Sequence, residues 1–103
     1  MDMDRAMRGY AALSTEVRLN TIKMLARAGE EGLPAGEIAR KLKIPANSLS
    51  QQLALLMDAG LITQEREGRN VFYAVDLGGL RKLIKFLALE CAAGRLKGVR
   101  IDG

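Results

Sequence analysis

The chain has 103 residues, 49% of them apolar, with 16 basic and 12 acidic side chains and a net charge of +4. That length accommodates one domain, residues 1–103, and no second one. It carries one cysteine and no histidine. An intrachain disulfide, histidine-based zinc sites and histidine general bases are therefore excluded, and an enzyme is not expected.

The mild positive charge permits binding to DNA phosphates without requiring it. No apolar run approaches the roughly 20 residues that span a bilayer, so no membrane partner is expected. The opening MDMDRAMRGY is polar and mixed in charge. It does not resemble a signal peptide, and a cytoplasmic location is expected. A chain of this size buries a modest share of its surface, and small helical chains often enlarge their core by pairing.

Taken in order, a short apolar helix precedes Leu13 and carries Met3, Ala6, Met7 and Tyr10. Thr15 to Ala28 reads as a second helix, with Thr15 able to cap its start and Gly29 to stop it. Pro34 suits the first turn of a third helix, Pro34 to Leu42, with Ile38, Ala39 and Leu42 on one face. After the break KIPA, Asn47 to Asp58 reads as a fourth, with Leu49, Leu53, Leu56 and Met57 inward.

The period then changes to two. Leu61 to Glu67 and Asn70 to Val75 read as two strands joined by a turn at Gly68. Val71, Tyr73 and Val75 share one face, Phe72 and Ala74 the other. Gly78 and Gly79 read as a break. The last helix, Gly79 to Ala93, carries Leu80, Leu83, Ile84 and Leu87 at steps of three and four, an unbroken apolar stripe. That stripe needs a cover, and with Met3, Met7 and Tyr10 of the first helix it is expected to form the interface of a homodimer.

A short helix, a turn of three or four residues and a second helix make a helix-turn-helix arrangement. The outward residues at the start of the second helix are Ala46, Asn47, Ser48, Ser50, Gln51 and Gln52, all small or uncharged. A face that meets only water would ordinarily carry lysine and glutamate. Glutamine and asparagine can instead bond a base edge, and helix N-termini enter the major groove in such motifs. The hairpin tip adds Arg66, Arg69 and Asn70, a set able to hold phosphates. Glu65 and Glu67 interrupt it, so a plain solvated hairpin is the competing reading.

The runs ALSTEVRLNTIKML, GEIARKLKIPANSLSQQLALLMDAGLI and REGRNVFYAV resemble, in this order, the arsenic-repressor (ArsR/SmtB) family over roughly residues 10 to 92. The resemblance implies a mostly α fold with a two-stranded β-wing. It also implies a dimer built by the first and last helices, and repression of target genes through double-stranded operator DNA. Ser48, Ser50, Gln51 and Gln52 match the family's base-reading positions and Arg69 its basic wing position. Gln52 stands where a histidine is common. Pro45 stands where a serine often caps the reading helix, which leaves Asn47 to take part of that role.

Some family members bind metal through paired cysteines ahead of the reading helix, but GLPAGEIA has none. The ending LIKFLALECAAG is similar to the arsenite-binding subgroup, with Cys91 present and Ala92 in place of the second cysteine. No metal, no cofactor and no arsenite release are therefore expected, and the inducer is not legible. Cys91 is read as a small apolar filler near the dimer axis, with a redox or sensing role as the alternative. The alternative to the whole reading is a winged-helix adaptor that binds protein without reading DNA.

Overall fold

A computed structural model describes residues 1–90. Five α-helices and three strands follow one another in these residues. Helix α1 covers Met3–Ala12 and α2 covers Glu16–Ala28. Each is started by a side chain in extended backbone: Asp2 Oδ1 accepts the Arg5 N–H at 2.8 Å, and Thr15 Oγ1 accepts that of Arg18 at 3.3 Å. These bonds satisfy donors that the first helical turn leaves unpaired.

A 3-10 turn at Gly29–Glu31 leads to strand β1, Leu33–Pro34, and then to α3, Ala35–Leu42. Helix α4 is Ala46–Asp58, β2 is Ile62–Glu67, β3 is Asn70–Val75 and α5 is Leu77–Glu90. The sheet is antiparallel in the order β1-β3-β2, so the expected two-stranded wing is corrected to three strands. Leu33 pairs with Tyr73 and Pro34 with Phe72. Proline has no N–H to give a ladder, so the pair suits an outer edge and shields β3 from exposure. Pro34 is thus extended (φ −72°, ψ 151°) and precedes α3 instead of lying in its first turn.

The turn between α3 and α4 is set by the backbone. Lys43 takes a left-handed conformation (φ 58°), its N–H donates to Arg40 O at 3.3 Å, and the Ile44 N–H donates to Ala39 O at 3.1 Å. This pair of bonds is the Schellman ending, which satisfies orphaned helix carbonyls and turns the chain sharply. Helix α4 follows directly on Pro45, which is extended and supplies no side-chain capping bond. The part expected of Asn47 as a cap is not taken up.

At the hairpin, Glu67 pairs with Asn70, leaving Gly68 and Arg69 as a two-residue loop. Gly68 has φ +62° and Arg69 does not share a positive φ, the pattern of a type II′ turn that matches strand twist. Helix α5 starts before the glycine pair expected to break the chain. Asp76 Oδ1 accepts the Gly79 N–H at 3.0 Å, which caps a helix that already includes Gly78 and Gly79.

The core joins Ala6 and Ala12 of α1, Ile22 and Leu25 of α2, Ile38 of α3, Leu49, Leu53 and Leu56 of α4, Leu61 and Ile62, and Leu83 of α5. Burying each of the leucines and isoleucines contributes about 1.5–3 kcal/mol, and Leu49, Leu53 and Leu56 seat α4 in this core.

Candidate nucleic-acid interface

Helix α4 buries Leu49, Leu53 and Leu56 and turns Ala46, Asn47, Ser48, Ser50 and Gln51 to solvent. The exposed side carries no charge until Asp58, near the helix end. The N–H groups of its first turn are uncapped and open, so the positive end of the helix dipole points outward with them. Ser50 Oγ lies 3.1 Å from Ala46 O and donates to it, so its hydroxyl presents lone pairs to the outside.

Gln52 departs from the expected set. It is half-buried, and its Oε1 accepts from Arg18 Nη1 at 2.7 Å. Arg18 lies on α2 and holds more than Gln52. Its Nε donates to Ala12 O at 2.7 Å and its Nη2 to Ala11 O at 3.4 Å, at the carboxyl end of α1. One guanidinium therefore ties α1, α2 and α4 together. Composition and spacing give no sign of this role, because the partners lie 34 and 6 residues away from Arg18. Lys43 is a second residue the sequence reading leaves out. It is exposed at the turn directly ahead of α4, where its ammonium is available to a phosphate.

The mixed charge of the hairpin is resolved by the pleat, since successive side chains of a strand point to opposite faces. Ile62, Gln64 and Arg66 lie on one face, opposite Val75, Tyr73 and Val71. Ile62, Val75 and Tyr73 pack into the core, so this face looks toward the helices. Glu65 and Glu67 lie on the other face, where they line a shallow hollow with Glu30, Glu31 and Phe72. The carboxylates thus collect on the outer side, while Arg66 stays on the inner one and Arg69 and Asn70 at the exposed tip.

The expected dimer stripe divides in two. Leu83 is only 1% exposed, so it belongs to the chain's own core and not to a free surface. It packs on Gly9 of α1 so closely that a Cβ there would meet its methyls at 2.8 Å. Leu80 is half-buried against the same core, and the Tyr10 hydroxyl donates to Leu83 O at 2.8 Å. Met3, Met7, Ile84 and Leu87 remain open, at 63%, 62%, 60% and 56% exposure, and Leu77 and Leu89 of α5 are exposed as well. Cys91 lies outside the described residues. Among the described residues, no three His, Cys, Asp or Glu converge as a metal site, and no helix is long and apolar enough to cross a membrane.

Residues 13–65 match the family model described as a helix-turn-helix domain. The chain is 34% identical to the uncharacterized HTH-type transcriptional regulator YbzH of Bacillus subtilis, over 79% of this chain and 93% of that protein. It is 32% identical to the transcriptional activator HlyU of Vibrio cholerae, over 82% of this chain and 76% of that one. Among solved structures, an ArsR-like transcriptional regulator from Rhodococcus superposes with a TM-score of 0.77 at 24% identity, covering 87% of this chain and 82% of that one. The homodimeric winged helix-turn-helix DNA-binding domain of Mb0332 from Mycobacterium bovis, a possible ArsR-family regulator, gives 0.70 at 22% identity, covering 98% and 90%. The matched helix-turn-helix, the wing that follows it and these relatives agree: the chain belongs to the DNA-binding helix-turn-helix transcription regulators, and its fold is the winged helix of ArsR-type regulators.

Proposed function

We propose that the chain is a cytoplasmic repressor that binds a palindromic operator as a homodimer, with α4 in the major groove and the wing on the flanking backbone. One observation carries this reading: α4 presents an exposed, uncharged polar face beside an uncapped N-terminus. Groups of this kind can bond base edges without the desolvation cost of a buried charge. The pleat supports the wing's part, because the carboxylates that would repel phosphates sit on the outer face.

The open apolar residues Met3, Met7, Ile84 and Leu87 support pairing through α1 and α5, and the similar Mycobacterium bovis domain is itself homodimeric. Two copies related by a two-fold axis would set their α4 helices about 34 Å apart, one turn of DNA. Lowering transcription requires no further chemistry, since occupancy of the operator excludes other proteins from it.

Base reading and phosphate holding should separate by mutation. Gln51 sits at the middle of the exposed face of α4 and is exposed. Gln51→Ala should relax the preference at one position of each half-site by about 1–3 kcal/mol. Selection from a random DNA library checks this, and an unchanged preferred site would remove α4 from the groove. Arg69→Ala should weaken preferred and random DNA alike and lower the slope of log affinity against log salt by about one unit. Titrations at several salt concentrations read that slope directly. A loss confined to the preferred sequence would instead assign Arg69 to base reading.

A further inference from the structure

We infer that Arg18 sets which base edge Gln52 reads, by holding the carbonyl end of its amide and leaving the donor end for DNA. The inference rests on the reading of α4 as the helix in the groove. A guanidinium carries N–H donors and no acceptor, so the amide end facing Arg18 Nη1 at 2.7 Å must be the carbonyl oxygen. The amide nitrogen, with two N–H donors, is the other end. A free glutamine matches adenine by accepting from N6 and donating to N7 at once. Gln52 has its carbonyl end turned to Arg18, so it presents donors to acceptors: guanine O6 and N7 together, thymine O4, or the N7 that adenine shares with guanine.

Placement agrees with this role. Gln52 stands one turn after the exposed Ser48, on the flank of the solvent face, and is half-buried while Ser48 and Gln51 are open. Its side chain is held and not free to rotate. The holder is itself anchored, since Arg18 Nε and Nη2 are bonded to Ala12 O and Ala11 O. A side chain fixed before binding loses little entropy on contact and cannot flip its amide to suit another base. Arg18 thereby acts on specificity through Gln52 as a positioning residue.

The test is selection from a random double-stranded library with the full chain, comparing wild type, Gln52→Ala, Gln52→Glu, Arg18→Met and Gln51→Ala, each also melted to confirm folding. Wild type should prefer guanine or thymine at one position of each half-site, and Gln52→Ala should flatten that position alone. Gln52→Glu keeps a partner for Arg18 but offers only acceptors, so the position should move to cytosine by about tenfold. Arg18→Met frees the carbonyl and should admit adenine at the same position. If Arg18→Met fails to fold, Gln52→Glu decides alone. A wild-type preference for adenine there, or a position unmoved by Gln52→Glu, overturns the inference. Should Gln51→Ala relax its own position while the Gln52 variants change nothing, only this inference falls. Should Gln51→Ala also change nothing, the placement of α4 in the groove falls with it.

Discussion

Ile84→Glu is expected to produce a folded monomer whose operator affinity is lower by a factor of about 10²–10⁴. Ile84 is 60% exposed on α5, so in a single chain the new carboxylate would stand in water and cost little. In the proposed dimer the same position lies among Leu87, Met3 and Met7 of the apolar surface, and an unpaired buried carboxylate there costs several kcal/mol. The two situations differ by several kcal/mol, which is what makes the substitution informative. The large loss of DNA affinity follows from linkage. Two half-site contacts made by one body bind far more tightly than either alone, because the second contact is intramolecular.

Sedimentation at micromolar concentration reads the assembly, and circular dichroism reads the fold. Wild type should melt at a temperature that rises with protein concentration, and the variant should lose that dependence. A dimer that persists in Ile84→Glu would remove the α1–α5 surface as the interface. Leu83→Glu makes the contrast explicit. Leu83 is 1% exposed within its own chain, so that change should unfold the protein instead of separating two copies.

The contrast between Ile84 and Leu83 also marks what a sequence can carry. Leu80, Leu83, Ile84 and Leu87 share a helical stripe, and periodicity places all of them on one side of α5. An apolar stripe wider than about 100° has two edges, and spacing does not say which edge its own chain covers. Here α1 covers Leu83 and Leu80, because Gly9 lets the helices come close, while Ile84 at the far edge of the stripe and Leu87, one turn beyond Leu83, are left open.

The helices and the hairpin are legible because their signals are local. Thr15 caps four residues of chain, and Gly68 turns a two-residue loop. The turn between α3 and α4 is legible as a break, but its residue in left-handed backbone is Lys43 and not a glycine. Strand β1 is not legible. Two residues give no period, and the proline among them reads as a helix start when its partner strand, nearly forty residues later, is not yet in view. The Arg18–Gln52 bond fails for the same reason, since neither residue announces the other. The wing's charges are a milder case. The alternation is present in the sequence, but it acquires meaning only when Ile62 and Val75 show which face is inside.

Gly32→Ala is expected to cost about 3 kcal/mol or more, and to lower the melting temperature by about 10–20 °C. Gly32 has φ +69° and ψ −164°, a backbone region open essentially to glycine alone. A side chain there is strained whatever space surrounds it, and space is also missing. A Cβ would collide with the carbonyl oxygen of Tyr73, on β3, with the Ala74 side chain just beyond. That oxygen belongs to the strand between β1 and β2, so it cannot move aside without disturbing both ladders. Releasing β1 would relieve the clash, but it would free Leu33 from Tyr73 and loosen the approach to α3. Because a domain of this size has only about 5–15 kcal/mol of stability in total, the loss is large. Gly36→Ala is the internal control. It lies in α3 with nothing near a new Cβ and no positive φ, so it should be neutral or stabilise by up to about 1 kcal/mol. Thermal and urea melts of the two variants against wild type read both signs at once. A Gly32→Ala protein melting within about 2 °C of wild type, roughly half a kcal/mol at most, would show that the passage from the 3-10 turn into β1 is not held as tightly as its geometry requires.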